Sequence, residues 1–351
     1  MTNAPAVSVL IATYNRARLL GETLSSLARM RVSPSLRWEA VVVDNNSSDE
    51  TRRVVEEQAD GFPVPLRYVF ERQQGRSSAL NAGIEKAAGA VLAFTDDDVL
   101  LNDGWLDAAC AALTGTDPSI GYAGGPVRPI WEIAPPRWFD LSRGDLWGTV
   151  AIQDHGAESF VYEEGGKVPL GANMAVRRSV FAAAGGFRAD LGRTEGRLLL
   201  GQEVPEFLIR ARQAGFRGLY VPAMQLRHHV PARRLTRSYF RKWWFGKGVS
   251  RAALDRMQPV GESGIDLSRA PHFLRVPRTL YGSALRHTRD CAREHLAGRT
   301  ADAFRHEMLV AYFAGYFWAR QRERRTDPAS ARRPSATAGR RSSAPAGDPT
   351  A

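Results

Sequence analysis

Val91-Leu92-Ala93-Phe94 runs straight into Thr95-Asp96-Asp97-Asp98. Few folds can accommodate that junction. A short apolar run bounded by polar residues reads as a strand buried on both faces. Three adjacent carboxylates repel one another, and an unpaired buried charge costs on the order of several kcal/mol. A strand that delivers such a cluster to its C-terminal end therefore asks for a cation there. Hard divalent ions such as Mg2+ or Mn2+ take carboxylate oxygens and share them with substrate phosphates. The plainer alternative is a solvated acidic turn capping a helix that begins near Asp103.

The preceding residues supply a framework for that strand. Val7–Ala12 reads as a strand ending in Thr13-Tyr14-Asn15-Arg16, and a helical pattern with Leu20, Leu24 and Leu27 on one face follows it. Trp38–Val43 is a second buried strand, ending in Asp44 and a loop that can cap a helix. Leu66–Phe70 is a third strand, and Gly75-Arg76 opens another helix. Alternating strands and helices with short loops predict an α/β fold, a parallel sheet covered on both faces. Ligands of such sheets bind at the carboxyl ends of the strands. Thr13, Tyr14 and Asn15, Asp44, and the Asp96 triplet would then line one crevice.

Past this half the pattern changes. Ser119 to Tyr162 is rich in Gly, Pro and Trp and fits neither period, so loops over the sheet are expected, around an acceptor site. Gly171–Val176 reads as a strand, Glu203–Ala214 as a helix ended by Gly215. From Leu235 three helical patterns follow, to about Leu254, Phe273–Leu296 and Ala301–Arg320. Beyond Thr326 no large apolar residue occurs, and disorder is expected.

Composition narrows the partners. The 351 residues carry a net charge of +11, which favours anionic partners. Two distant cysteines, Cys110 and Cys291, argue against a disulfide framework or zinc site and suit a reducing compartment. No secretory signal and no span of roughly 18 apolar residues is visible, so a cytoplasmic location is expected. Between Glu206 and Asp255 there is no acid but eleven Lys and Arg, interleaved with Tyr239, Phe240, Trp243, Trp244 and Phe245. A membrane interface over 235–251, a pyrophosphate-binding surface, nucleic acid, or a solvated helix with a buried aromatic face all fit.

Four features carry chemistry. Asp44 can accept hydrogen bonds from a base or ribose, or cap a helix. Neither GxGxxG nor GxxxxGK[ST] follows the first strand, so bound phosphates would depend on a metal. Glu203, in the first turn of its helix after Gln202, fits a general base for an acceptor hydroxyl, or simply a helix-dipole partner. His228-His229 offers neutral imidazole to an ion or phosphate.

Together these residues resemble a family 2 glycosyltransferase of the GT-A fold over Val7 to about Ser250. Val9–Arg16 is similar to that family's opening strand and nucleotide-contacting turn, and Val41–Asp49 to its second strand, whose Asp contacts the base. Gly75, Ala79, Asn81 and Gly83 resemble the segment before the metal strand, and the resemblance implies nucleotide-sugar contacts for Arg76 and Asn81. Asp96-Asp97-Asp98 looks like the DxD element. The resemblance implies Asp96 near the ribose and Asp98 on the metal. Asp97 is left between a sugar contact and a helix-capping charge. Gly171, Ala172 and Asn173 resemble the acceptor-side strand, and Gly185-Gly186-Phe187 its turn. Gln202-Glu203 stands in the place of a Glu-Asp pair whose second member is the base, one methylene shorter than Glu203. His228 resembles the His that approaches the metal.

The resemblance implies a mixed GT-A sheet flanked by helices over 1–230, with the nucleotide half to about 115 and the acceptor half from about 116. A helical region at 231–320 and a basic tail at 321–351 follow. It further implies an inverting, metal-dependent (Mn2+ or Mg2+), non-processive transferase in cell-envelope polysaccharide or glycoconjugate synthesis. The expected partners are a nucleoside-diphosphate sugar and a saccharide or lipid-linked acceptor, with no nucleic acid. A catalytically inactive nucleotide-sugar binder and a basic nucleic-acid binder are the competing classes.

Overall fold

A computed structural model of the chain describes residues 4–162, 167–191, 201–257 and 270–326. The expected basic tail beyond Thr326, and most of the loop before Gln202, lie outside the described residues. The first half alternates as expected: β1 (Val7–Thr13), α1 (Ala17–Arg29), β2 (Trp38–Asp44), α2 (Thr51–Ala59), β3 (Leu66–Phe70), α3 (Arg76–Lys86) and β4 (Val91–Asp96). Then come β5 (Val99–Leu101), α4 (Trp105–Thr114), β6 (Ile120–Gly124), β7 (Val127–Trp131), β8 (Phe160–Tyr162), β9 (Asn173–Arg177), α5 (Arg178–Ala184), α6 (Glu203–Gln213), β10 (Arg217–Tyr220) and β11 (Leu226–Val230). The C-terminal part holds α7 (Arg237–Met257), β12 (His272–Phe273), β13 (Val276–Pro277), α8 (Arg278–Leu296) and α9 (Thr300–Thr326).

Eight strands form the main sheet in the order β3-β2-β1-β4-β9-β6-β10-β8. The β3-β2-β1-β4 part is parallel, β9 runs antiparallel to both β4 and β6, and β8 pairs antiparallel with β10. The sheet is therefore mixed, the arrangement of the GT-A fold. The pleat explains its two-sided burial. Val7, Val9 and Ile11 of β1 meet α1, α2 and α4 through Leu24, Val55 and Leu106, while Leu10 meets α3, α5 and α6 through Leu80, Phe181 and Phe207. Deleting one such Leu to Ala would cost about 2–5 kcal/mol.

The stretch 119–162 departs from expectation. It holds β6, buried in the main sheet, and β7, which joins a smaller sheet in the order β5-β11-β7. Ile120-Gly121-Tyr122-Ala123-Gly124 is too short and Gly-rich to announce a strand, and its burial comes from its neighbours. The expected helix from Phe273 starts instead at Arg278, after a small β12-β13 hairpin.

α7 settles among the alternatives for the basic aromatic stretch. Phe240 and Trp244 are buried against Phe139, Val150, Phe304 and Met308, and Tyr239, Trp243 and Phe245 are half-buried. Its aromatic side thus faces the protein interior, so a membrane contact through the aromatic face of 235–251 is not what the fold offers. α9 lies close enough that a Cβ at Gly248 would stand 2.0 Å from the Tyr312 carbonyl. A line at residue 230 runs through this cluster, because 131–152 packs with α7 and α9. Gly215, at φ 89°, ends α6 in the left-handed region as expected. No helix among the described residues is long and apolar enough to cross a membrane.

Candidate active site

The parallel registers Thr13↔Asp44 and Ala12↔Asp96 bring the ends of β1, β2 and β4 to one rim. The chain then turns through Asp97 and Asp98 into β5, not into a helix. α4 starts only after Gly104, so neither acid caps it. β5 pairs with β11 at Val99↔His228, and the His229 amide donates to the Asp98 carbonyl. This pairing sets His228 beside the acidic turn, about 130 residues away in sequence. The His229 ring points elsewhere, 3.6 Å from Glu22.

Asp96, Asp98 and His228 can each present one ligand atom within 4.8 Å of the others. Among the described residues, Asp98 Oδ1 and His228 Nδ1 are buried without a hydrogen-bond partner, while His228 Nε2 stands 3.3 Å from Asp98 Oδ1. Buried orphan atoms of this kind are costly unless something coordinates them. Two carboxylates and one imidazole, converging with unused lone pairs, fit a Mn2+ or Mg2+ ion.

Internal cations balance the cluster. One Arg16 Nη donates to Asp97 Oδ1 and Asp98 Oδ2, each at 2.8 Å, and Arg234 lies 3.8 Å from Asp98. Burial would push the Asp98 carboxyl up, but His228, Arg16 and Arg234 together hold it well below the usual carboxylate range. Asp96 is likewise lowered, with Arg76 outweighing burial and the Asp98 charge. Asp97 goes the other way. Burial, with Asp98 and Asp96 beside it, pushes it up to about 6 against the opposing pull of Arg16 and the Thr13 hydroxyl. Asp97 is thus a buried partner of Thr13 and Arg16, with Thr13 Oγ1 donating to it at 2.8 Å.

Arg76 ties this cluster to Glu203. Its Nη1 donates to Glu203 Oε1 at 3.0 Å and its Nη2 to Asp96 Oδ1 at 2.9 Å, with the Gly171 carbonyl at 3.3 Å. Glu203 lies in the first turn of α6, next to Gln202 at the N-cap, and both are buried. Its Oε2 has no hydrogen-bond partner among the described residues.

Other expected contacts serve the framework. Asn81 exchanges both of its amide hydrogen bonds with the Phe187 backbone, locking the Gly185-Gly186-Phe187 turn. Asn173 is fully buried. It donates to the Pro126 and Met224 carbonyls and accepts from Trp105, so its amide cannot reach an acceptor. The Ala172 carbonyl accepts from Thr95. Asp44 accepts from the Ser47 amide and the Tyr68 hydroxyl. Asn15, at φ 49°, bridges the β1 and β2 turns through Ser47 and Ser48. Tyr14 is half-buried between Thr13 and Asn15.

Two residues escaped the sequence reading. Arg234 sits in the acid-free span, but nothing in that span marks which arginine turns inward to Asp98 and His228. Asn45 holds the Gly75 amide and the Glu71 and Gln73 carbonyls, fixing the loop that launches Arg76.

With this geometry in hand, the comparisons are informative. The family model described as Glycosyl transferase family 2 matches residues 8–184. The chain is 28% identical over 251 residues to the succinoglycan biosynthesis protein ExoM of Rhizobium meliloti (strain 1021), covering 71% of this chain and 74% of that protein. It is 25% identical over 257 residues to a glucosyl-dolichyl phosphate glucuronosyltransferase of Haloferax volcanii, covering 72% and 78%. Among solved structures, the mannosyltransferase PcManGT from Pyrobaculum calidifontis, in complex with GDP-Man and Mn2+, has a TM-score of 0.57 at 21% identity. That match covers 90% of this chain and 88% of the other, and it speaks to the fold.

Proposed function

The chain belongs to glycosyl transferase family 2 and is a glycosyltransferase, and on that premise we propose that it moves a single sugar from a nucleoside diphosphate to an acceptor hydroxyl with inversion at the anomeric carbon. Asp96, Asp98 and His228 would hold Mn2+ or Mg2+. When bound, that ion neutralises charge on the leaving diphosphate. PcManGT binds GDP-Man with Mn2+, which supports this ligand class here.

The chain's own groups divide the remaining work. Glu203 Oε2 takes the proton of the acceptor hydroxyl as its oxygen attacks the anomeric carbon, and the nucleoside diphosphate departs from the opposite face. Arg76 fixes Glu203 through the other carboxylate oxygen, so the free oxygen keeps one direction. Arg16 and Arg234 balance the acids beside the diphosphate. Asp44, Tyr14 and Asn15 lie at the strand ends where the nucleoside would rest. Gln202, Gly171 and Ala172 border Glu203 and Arg76 on the acceptor side.

We assign residues 1–230, together with Arg234, to catalysis and the rest of 231–320 to a helical brace. The location is read as cytoplasmic and the acceptor as a saccharide or lipid-linked sugar in envelope or glycoconjugate synthesis. ExoM and the dolichyl-phosphate enzyme support that acceptor class by their names. No nucleic-acid partner is invoked.

The observation carrying the reading is the part-buried meeting of the acidic strand end and Glu203 across Arg76. A thermal-shift screen of nucleotide sugars tests it. One donor should raise the melting temperature with Mn2+ and fail to do so with chelator. Equal shifts in both conditions would contradict it.

A further inference from the structure

The apolar surface at the far end of the helical region plays no part in transfer. α7 and α9 run side by side in one direction, with Phe240 against Phe304 near their starts and Ala252 beside Tyr316 near their ends. The β12-β13 hairpin packs at that far end. α7 has 21 residues, so the hairpin lies about 30 Å along the helix axis from the site around Arg234.

The hairpin tip is an unusual piece of chain. Its two turn residues, Leu274 and Arg275, have φ of 49° and 65°. A two-residue turn with both residues left-handed favours Asn-Gly, because side chains such as Leu are strained there. The fold alone therefore gives no reason for Leu-Arg. The strain is held in place from outside. Tyr281 Oη donates to the Phe273 carbonyl, Gln321 Nε2 to the Leu274 carbonyl and Arg320 Nε to the Arg275 carbonyl. Three consecutive carbonyls are thus pinned by three side chains, and the tip is presented rigidly.

What it presents is apolar within a basic rim. Phe273 is 54% exposed and Leu274 42%; Trp318, one turn before Gln321 on α9, is 39%, and Leu285, one turn beyond Tyr281 on α8, is 72%. Residues 270–289 contain Arg275, Arg278, Arg286 and Arg289 and no acid, and of these Arg289 pairs with the adjacent Asp290. The next acids, Asp290, Glu294, Asp302 and Glu307, each already pair with an arginine.

We propose that this end of the molecule docks on an anionic lipid bilayer, with Phe273 and Leu274 entering the headgroup boundary and Arg278 and Arg286 meeting lipid phosphates. Exposed aromatic and aliphatic side chains ringed by arginine match that interface in both polarity and charge. A second copy of the chain is a poorer occupant, since a two-fold pairing would set Arg278 and Arg286 against like charges. A contact of this size is reversible, strengthened by anionic lipid and weakened by salt. The proposal does not rest on the transferase reading, because the tip and the metal cluster are a helix length apart.

The test is vesicle co-sedimentation of the full chain, with phosphatidylcholine alone or mixed with phosphatidylglycerol. The chain should bind the mixed vesicles, release with added salt, and bind the neutral ones weakly. Leu274→Gly removes the apolar tip while relieving the left-handed backbone. Its melting temperature should not fall, and its vesicle affinity should drop about tenfold. Nucleoside-diphosphate binding measured on the same variant should be unchanged, which keeps a failure here separate from a failure of the active-site reading. No binding to anionic vesicles, equal binding to neutral ones, or unchanged affinity in Leu274→Gly would each overturn the proposal. So would concentration-dependent dimerisation abolished by Leu274→Gly without vesicle binding, which would assign the patch to self-association.

Discussion

The two acidic groups that Arg76 joins are partnered in opposite ways. At the end of β4, cations face the carboxylates from three separate segments: Arg16 on Asp97 and Asp98, Arg76 on Asp96, and Arg234 with His228 at Asp98. Glu203, at the start of α6, has one arginine on one oxygen and, among the described residues, no hydrogen-bond partner on the other. Three like charges at one strand end need several counter-charges to be buried, whereas one carboxylate at a helix N-terminus is buried with a single arginine. On the proposed reading the strand end handles charge and Glu203 handles a proton.

The sharpest way to break this comparison is Glu203→Gln. Transfer should fall about 10²–10⁴-fold, the usual contribution of a positioned base, while nucleotide affinity holds within error by calorimetry. A parallel loss of nucleotide binding would move Glu203 to the donor side. Next is the bridge itself. Arg76→Ala leaves Asp96 and Glu203 facing each other without their shared cation. Arg76 is about one-fifth exposed, so urea unfolding should report a loss of about 1–3 kcal/mol, below that of a fully buried pair. An unchanged midpoint would mean that the bridge contributes nothing.

Protonation should separate the sides by a smaller effect. Asp97 binds its proton more readily folded than unfolded, with its folded value pushed up to about 6. Below that pH the cluster carries one negative charge fewer, so Mn2+ affinity should decline as pH falls through 6 and recover above it. For stability the sign is the reverse. The raised value favours the folded state at low pH, and that advantage is lost as pH rises from about 4, the ordinary Asp value, through 6. Mn2+ titrations of Glu203→Gln should trace the same pH curve as wild type, since Glu203 lies outside the ion's ligands. The smallest expected effect is in Arg16→Ala. Its melting temperature should drop by a few degrees for a loss of about 1 kcal/mol, and Mn2+ should restore more of the difference than it adds to wild type. No extra restoration would show that Arg16 does not share the ion's electrostatic role.

Much of this arrangement was legible in the residues. β1, β2 and β4 were readable because largely apolar runs ending in Thr13, Asp44 and Asp96 favour buried strands with polar ends on a common rim. Glu203 and His228 were readable through the family pattern, although only the β5-β11 pairing explains why His228 and not His229 turns to Asp98. β6 was hidden because Gly121 and Gly124 carry no strand signal, and its place between β9 and β10 is set by its neighbours. α7 shows the limit of composition, since a basic aromatic stretch reads the same with its rings turned inward or outward. Asn81 and Asn173 were assigned to ligands because polar residues near a site suggest contact; their hydrogen bonds are spent on Phe187, Pro126 and Met224. No local pattern announces such long-range partners.

The central claim is that the end of β4 holds a divalent ion for a nucleoside diphosphate. Calorimetric titration of UDP and GDP into wild type and Asp98→Ala, each with Mn2+ and with chelator, tests it most directly. Wild type should bind one of these nucleotides in Mn2+ at least a hundredfold more tightly than in chelator, about 2.7 kcal/mol, and Asp98→Ala should lose that difference. Equal Mn2+ dependence in the two proteins would contradict the assignment.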